Sequence, residues 1–210
     1  MVRAVQDWLL GHHTGHMSLA GHDWSVVTWG LVKNGEVTRE FELRPGEPSD
    51  IGDSDDDLAR ARRFRDVLGW YASGVTVVTA DPGSHPVGLT CQTFSSVSLE
   101  PPLVSFMPAR TSRSLPIIRD AGHFCVNILA ADQQAIAQVF ASKGADKFNG
   151  LGWAPGVTGA PVLDGAIGRV DCTVHSIHEA GDHFIVVGNV KDLAITREAE
   201  PLIYFRGTFR

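Results

Sequence analysis

The stretch "EAGDHFIVVG", residues 179–188, joins a polar turn directly to an apolar run. Before the turn, residues 166–178 alternate apolar and polar positions, which predicts a strand with Asp171 on its solvent-facing side. After the turn, residues 184–190 are mostly apolar, as in a more deeply buried strand. The pattern therefore predicts a long hairpin at the centre of the main domain, with His183 at the start of its second strand.

Other short apolar segments predict more strands, interrupted by a few helices. The further strands are predicted at residues 75–80, 87–99, 102–107 and 123–129. The helices are predicted from Asp55 to Ser73-Gly74, from about Ser112, and over residues 131–142. Because the helices are inserted among the strands and do not alternate with them, the fold class is mainly β, and a barrel is favoured over a doubly wound sheet. The sequence has neither a Gly-x-Gly-x-x-Gly motif nor a P-loop, so a nucleotide would have to be bound in another way.

Composition excludes several classes of function. The 210 residues carry a formal net charge of -6, and Lys and Arg are scattered, which argues against nucleic-acid binding. No apolar run approaches the roughly 20 residues that cross a bilayer, and no signal peptide is recognisable, so we expect a cytoplasmic protein without a membrane partner.

Metal and disulfide chemistry are not predicted. The cysteines, Cys91, Cys125 and Cys172, are far apart and form no Cys-x-x-Cys pair. We interpret them as buried structural thiols of a reducing compartment. The N-terminal His12, His13 and His16 are potential metal ligands, but a solvated terminal segment is the interpretation we favour.

Two regions are expected in the chain. Residues 44–57 are rich in Pro, Gly, Ser and Asp, which is typical of a linker. Residues 1–57 are therefore an N-terminal extension, in which residues 24–43 predict a β-hairpin around Asn34-Gly35. Residues 58–210 form the main domain.

Motifs in the main domain resemble a known family. They are "GLTCQTFSSVSLEPPLVSF" (88–106), "SRS" (112–114), "FCVNIL" (124–129), "GDHFIVVG" (181–188) and "YFRG" (204–207). Their order is similar to that of the flavin reductase-like, split-barrel FMN-binding family, and most similar to the reductase components of two-component flavin-dependent monooxygenases. The resemblance covers about residues 60–209 and implies a split β-barrel with Greek-key-like strand order.

The resemblance also implies an activity. It is that of an NAD(P)H:flavin oxidoreductase, which transfers a hydride from reduced nicotinamide to FMN or FAD and releases the reduced flavin to a separate oxygenase. A homodimer with the flavin at or near its interface is implied as well. FMN or FAD, and NADH or NADPH, stay open, with NADH as the default. The alternatives are a split-barrel flavoprotein that retains FMN as an oxidase or reductase, and a flavin-binding module without activity.

A flavin site follows from the same resemblance. Thr111 to Ser114 offer hydroxyls, a guanidinium and free helix N–H groups to a phosphate, although an ordinary helix cap is the alternative. The backbone of residues 90–93 offers main-chain groups to the isoalloxazine ring, and Gly88 lets that backbone approach closely. The implied cofactor-binding residues are Gly88, Thr90, Cys91, Gln92, Thr93, Met107, Pro108, Ala109, Ser112, Arg113, Ser114, Phe140 and Lys143.

The nicotinamide side is assigned to the Gly-Asp-His turn. The resemblance implies that His183 orients NAD(P)H or donates to the reduced flavin, and that Asp182 fixes the turn. A hydrogen-bonded structural histidine is the alternative. The residues implied to complete this side are Tyr204, Phe205, Arg206 and Gly207, where Arg206 is alternatively a surface charge.

Overall fold

The predicted hairpin lies in the middle of the largest sheet of the computed structural model. It consists of β13 (Gly168–Ala180) and β14 (His183–Ile195), which pair antiparallel along most of their length. The sheet has seven strands in the order β7-β6-β10-β13-β14-β9-β8. The remaining members are β6 (Thr76–Ala80), β7 (Val87–Cys91), β8 (Ser95–Leu99), β9 (Pro102–Phe106) and β10 (His123–Ile128).

The structure describes strand residues between 16 and 37, Gly52, and residues 54–144 and 146–210. The chain divides into two units, Met1–Glu42 and Leu43–Arg210. The strands of the first unit, paired in chain order, are β1 (His16–Leu19), β2 (His22–Val27), β3 (Gly30–Lys33) and β4 (Glu36–Val37). Asn34-Gly35, His12, His13, the side chain of His16 and most of the predicted linker lie outside the described residues. The division at residue 57 stays a prediction.

Two smaller sheets complete the second unit. Strands β11 (Trp153–Pro155) and β12 (Pro161–Leu163) form one pair. Strands β5 (Ser73–Gly74), β15 (Ile203–Phe205) and β16 (Thr208–Phe209) form the other sheet, in the order β16-β15-β5.

Among the described residues helices are few, which confirms a mainly β fold with inserted helices. They are α1 (Asp55–Leu68), α2 (Ser114–Ala121) and α3 (Gln134–Ala141), the last preceded by a 3₁₀ turn at Ala131–Gln133. Ser54 caps α1, since its Oγ accepts the N–H of Asp57 at 3.1 Å. The prediction that this helix continues to Ser73-Gly74 is wrong. The chain turns at Gly69, and Trp70 then packs edge-on against Phe205.

The predicted solvent-facing position of Asp171 is also wrong. Asp171 is fully buried, and its carboxylate accepts hydrogen bonds from the N–H and the hydroxyl of Thr158. The loop that contains Thr158 covers this part of β13, and the strand register shifts directly after Asp171. The extra residue at this shift is Lys191 on β14, so β13 keeps its alternation, and Asp171 is buried because the loop covers its side of the strand.

The predicted strand over residues 87–99 is divided into β7 and β8. The break coincides with Thr93, whose Oγ1 accepts the N–H of Met107 at 2.8 Å. This bond ties the connection between β7 and β8 to the end of β9. In the described part of the chain, no helix is long and apolar enough to cross a membrane.

Candidate active site

A large cavity lies beside β7, the terminal strand of the seven-stranded sheet. One edge of β7 pairs with β6, and no described strand pairs with its other edge. Apart from the Gly88 carbonyl, which Ser114 and Lys147 occupy, the main-chain groups of that edge are open to a ligand. The cavity has a volume of about 900 Å³, at the upper end of the range for ligand sites. The implied residues that line it are Gly88, Thr90, Cys91, Gln92, Thr93, Met107, Pro108, Ala109, Ser112, Arg113, Ser114, Phe140, Lys143 and His183.

The side chains of β7 mainly hold this wall in place. The hydroxyl of Thr90 donates to the carbonyl of Ala137 in α3 at 2.6 Å. The Sγ of Cys91 lies 3.1 Å from Oγ1 of Thr93, which is itself bonded to Met107. Because these polar groups are already used, a ligand ring would meet main-chain groups and the exposed Gln92.

Gly88 is the point at which β7 contacts both α2 and α3 beside the cavity. A Cβ atom at this position would lie only 2.6 Å from the ring of Phe140 in α3. The carbonyl of Gly88 accepts from Oγ of Ser114 at 2.9 Å and from Nζ of Lys147 at 3.2 Å. The absence of a side chain therefore allows β7 to pack directly against α3.

One end of the cavity carries positive charge. Arg113, Lys143 and Lys147 line it, and none of the described lining residues is Asp or Glu, although the whole chain is acidic. The Oγ of Ser112 accepts the N–H of Leu115 at 3.3 Å, while Ser112 also lines the cavity, so its phosphate role stays a prediction. The local excess of cations at the start of α2 suits a phosphate.

His183 lines the cavity from a braced turn. Its Nδ1 is 2.8 Å from Oδ1 of Asp182, and a carboxylate can only accept, so Nδ1 carries the proton and Nε2 stays available to a ligand. His183 forms a bridge with Ala109, and the N–H of Phe184 donates to the carbonyl of Pro108 at 2.9 Å. Asp182 does not line the cavity, and its contact with the cavity is indirect, through the hydrogen bond that holds the His183 ring.

The Tyr204–Gly207 segment lies away from the cavity of its own chain. Arg206 and Gly207 have φ values of 51° and 79° and form the two-residue turn between β15 and β16. The guanidinium of Arg206 stacks over Trp70, 4.3 Å from the ring centre. The nicotinamide role of Tyr204, Phe205, Arg206 and Gly207 stays a prediction, and their own chain gives it no geometric support.

Sequence reasoning missed two polar residues at the site. Arg110 donates from its main-chain N–H to the carbonyl of Asp182 at 2.9 Å and from Nη1 to Gly181 at 3.2 Å, so it braces the turn that carries His183. Lys147 lines the cavity. In the sequence it follows Asp146, and two adjacent charged residues are typical of a solvated loop. In the structure Asp146 instead accepts the N–H groups of Phe148 and Asn149.

The fold is mainly β, and its cavity combines an open strand edge with a cationic end, as a site for a phosphorylated ligand would. The chain belongs to the flavin reductase like domain family, whose sequence model matches residues 68–210. The prediction of the family is thereby confirmed.

Named relatives agree with this assignment. The reductase subunit HsaB of a flavin-dependent monooxygenase from Rhodococcus jostii is 45% identical over 148 residues, which are 70% of this chain and 76% of that protein. The FMN reductase (NADH) SmoA of Agrobacterium fabrum is 41% identical over 149 residues, or 71% and 84% of the two chains. The structure of the NADH:FAD oxidoreductase SgcE6 of Streptomyces globisporus, with NAD and FAD fragments, is 34% identical with a TM-score of 0.69, over 76% of this chain and 96% of that one. The split-barrel prediction is confirmed by this likeness.

Proposed function

We propose that the protein is an NAD(P)H:flavin oxidoreductase that supplies reduced FMN or FAD to a separate oxygenase. The observation that carries the proposal is the cavity at the edge of β7, with cations at one end and His183 at its border. A flavin nucleotide fits this arrangement, because it combines a flat, hydrogen-bonding ring with a phosphate. Membership of the flavin reductase family supports the same activity.

The residues of the chain would act mainly by positioning. When bound, the flavin accepts at N5 the hydride that reduced nicotinamide gives up from C4, and this depends on holding two rings face to face. The main chain of β7 would hold the flavin ring, and Arg113 with the start of α2 would hold the phosphate. His183, fixed by Asp182, would orient the nicotinamide or donate to the reduced flavin.

NADH is the proposed hydride donor, while FMN and FAD are both retained. The names of SmoA and SgcE6 both contain NADH, but one names FMN and the other FAD. A partner oxygenase is proposed because HsaB is named as a monooxygenase reductase subunit.

The test is the loss of nicotinamide absorbance when purified protein meets NADH or NADPH, with FMN, FAD or no flavin added. We expect NADH oxidation that rises with free flavin and saturates. Retained flavin with turnover independent of added flavin would favour the oxidase or reductase alternative. Bound flavin without any turnover would favour the binding module.

A homodimer is also proposed, and α1 supplies structural support. Within the described chain α1 has no buried residue, yet Phe64 and Leu68 are apolar and exposed by 64% and 53%. Tyr71, just beyond the helix, is 81% exposed. Such a patch on a soluble enzyme is typical of a surface that another subunit covers.

We expect the wild-type protein to sediment at twice its chain mass of 22.7 kDa. Phe64→Glu should raise the dimer dissociation constant at least about tenfold, because it buries a charge in the contact. Ala59→Glu adds the same charge on the opposite face of α1 and should leave the dimer intact. A wild-type monomer, or equal effects of both substitutions, would contradict this interface.

A cytoplasmic location is proposed from the thiols. Cys91, Cys125 and Cys172 are all buried and unpaired in the structure. Burial raises the pKa of Cys125 and of Cys172 to about 12, so neither thiol is a reactive thiolate at neutral pH. Such cysteines suit a reducing compartment.

A further inference from the structure

We propose that Lys147 makes the site select phosphorylated flavins over riboflavin, by placing an ammonium group next to Arg113 at the cationic end of the cavity. The inference rests on the proposed function, since it assigns a specificity role within the flavin site. It concerns a residue outside the set that the sequence implied.

The position of the Lys147 ammonium is fixed by the two walls of the cavity. Its Nζ donates to the carbonyl of Phe140 at 2.8 Å and to the carbonyl of Gly88 at 3.2 Å. The first acceptor lies at the end of α3 and the second lies on β7. Because an ammonium has three N–H donors, these two bonds hold the group in place and leave one donor for a ligand.

The surroundings of Lys147 lack a counter-charge. Burial, and in second place the positive charge of Arg113, lower the pKa of Lys147 below its ordinary value. Within residues 54–144 and 146–210, no salt bridge joins Lys147 or Arg113 to a carboxylate. Two neighbouring cations repel each other and lose hydration, and an anion between them compensates both costs.

The phosphate of FMN supplies such an anion, whereas riboflavin has only a ribityl hydroxyl at that end. The side chain of Arg113 already extends toward the same region, where its Nη1 lies 3.5 Å from the carbonyl of Lys143. The ammonium of Lys147 therefore contributes little to riboflavin binding and much to FMN binding.

A purely structural role of Lys147 makes a different prediction. If the residue only tied α3 to β7, its loss would move the wall of the ring site and weaken both flavins equally. The ratio of the FMN and riboflavin dissociation constants therefore separates the two roles, and a general loss of stability does not change it.

The experiment measures both dissociation constants by flavin fluorescence on the full-length protein. Lys147→Met should weaken FMN by about 10- to 100-fold, the range expected for one hydrogen bond to a charged group, and leave riboflavin nearly unchanged. Lys147→Gln keeps a donor for the two carbonyls without the charge and should show the same loss of preference. Lys147→Arg keeps the charge and should retain part of the preference for FMN over riboflavin. Lys191 is an exposed lysine outside the cavity, so Lys191→Met should behave as wild type.

Equal weakening of FMN and riboflavin in both uncharged variants would overturn the inference, and so would an unchanged FMN preference. In those cases wild-type NADH oxidation with FMN would still support the proposed function. A wild-type protein that binds neither flavin nor oxidises NADH would overturn the proposed function itself. Riboflavin binding by each variant shows that it is folded.

Discussion

Replacing His183 by alanine is expected to lower kcat/KM for NADH by about 100-fold, because hydride transfer depends on the alignment of two rings. The imidazole is 44% exposed at the border of the cavity, so it is accessible to a ligand and not enclosed by the core. Its Nδ1 is held by Asp182, which leaves Nε2 for the nicotinamide or the reduced flavin. The dissociation constant of oxidised flavin should change little, since β7 and the cationic end remain.

Steady-state kinetics with varied NADH, together with flavin titration, measure these two quantities separately. Asp182→Asn keeps the imidazole but weakens its anchor, so a smaller loss is expected. His178→Ala is the matched control, because His178 lies on the same hairpin, bonds Ser176 and does not line the cavity. Wild-type kcat/KM in His183→Ala would return His183 to a structural role.

Local sequence patterns predicted the elements around the site better than their arrangement. Alternation and turn residues indicated the β13–β14 hairpin, but no local pattern says that Ala109 pairs with His183, more than seventy positions away. The family resemblance assigned both residues to one cleft but did not predict their pairing.

The failures have physical causes at particular residues. Asp171 appears solvent-facing by alternation, but the loop at Thr158 covers its carboxylate. No sequence motif singles out Lys147, and only the folded chain shows that two carbonyls hold its ammonium. Burial of such groups depends on which distant loop covers them.

The Arg206-Gly207 pair is a different case, because the sequence did contain a usable signal. A dipeptide ending in glycine, placed between Phe205 and Thr208, is compatible with a two-residue hairpin turn, and the structure has that turn. The family motif implies a ligand role, which stays a prediction. Within one chain, the stacking of Arg206 on Trp70 explains the position of its side chain.

Gly88→Val is expected to abolish most flavin binding and to lower the free energy of unfolding by about 1–3 kcal/mol, the usual range for overpacking. Strand propensity alone predicts the opposite sign, since valine is favoured and glycine disfavoured in strands. The Cβ would lie 2.6 Å from the Phe140 ring and 3.1 Å from the carbonyl of Val78. Phe140 cannot move away easily, because it is 1% exposed and packs edge-on against Phe148 at 5.1 Å.

The consequence for the ligand follows from the contacts of the Gly88 carbonyl. Displacing β7 from α3 strains the hydrogen bonds that Ser114 and Lys147 donate to the Gly88 carbonyl. The β7 main chain that would hold the flavin ring and the cationic end of the cavity therefore shift together. Urea unfolding and FMN titration measure the two effects, and Gly74→Val is the control, because a Cβ there meets no atom within 4 Å. Adding Phe140→Leu to Gly88→Val should recover part of the stability, since the two substitutions affect one contact. Wild-type FMN affinity in Gly88→Val would show that the flavin does not bind along this edge of β7.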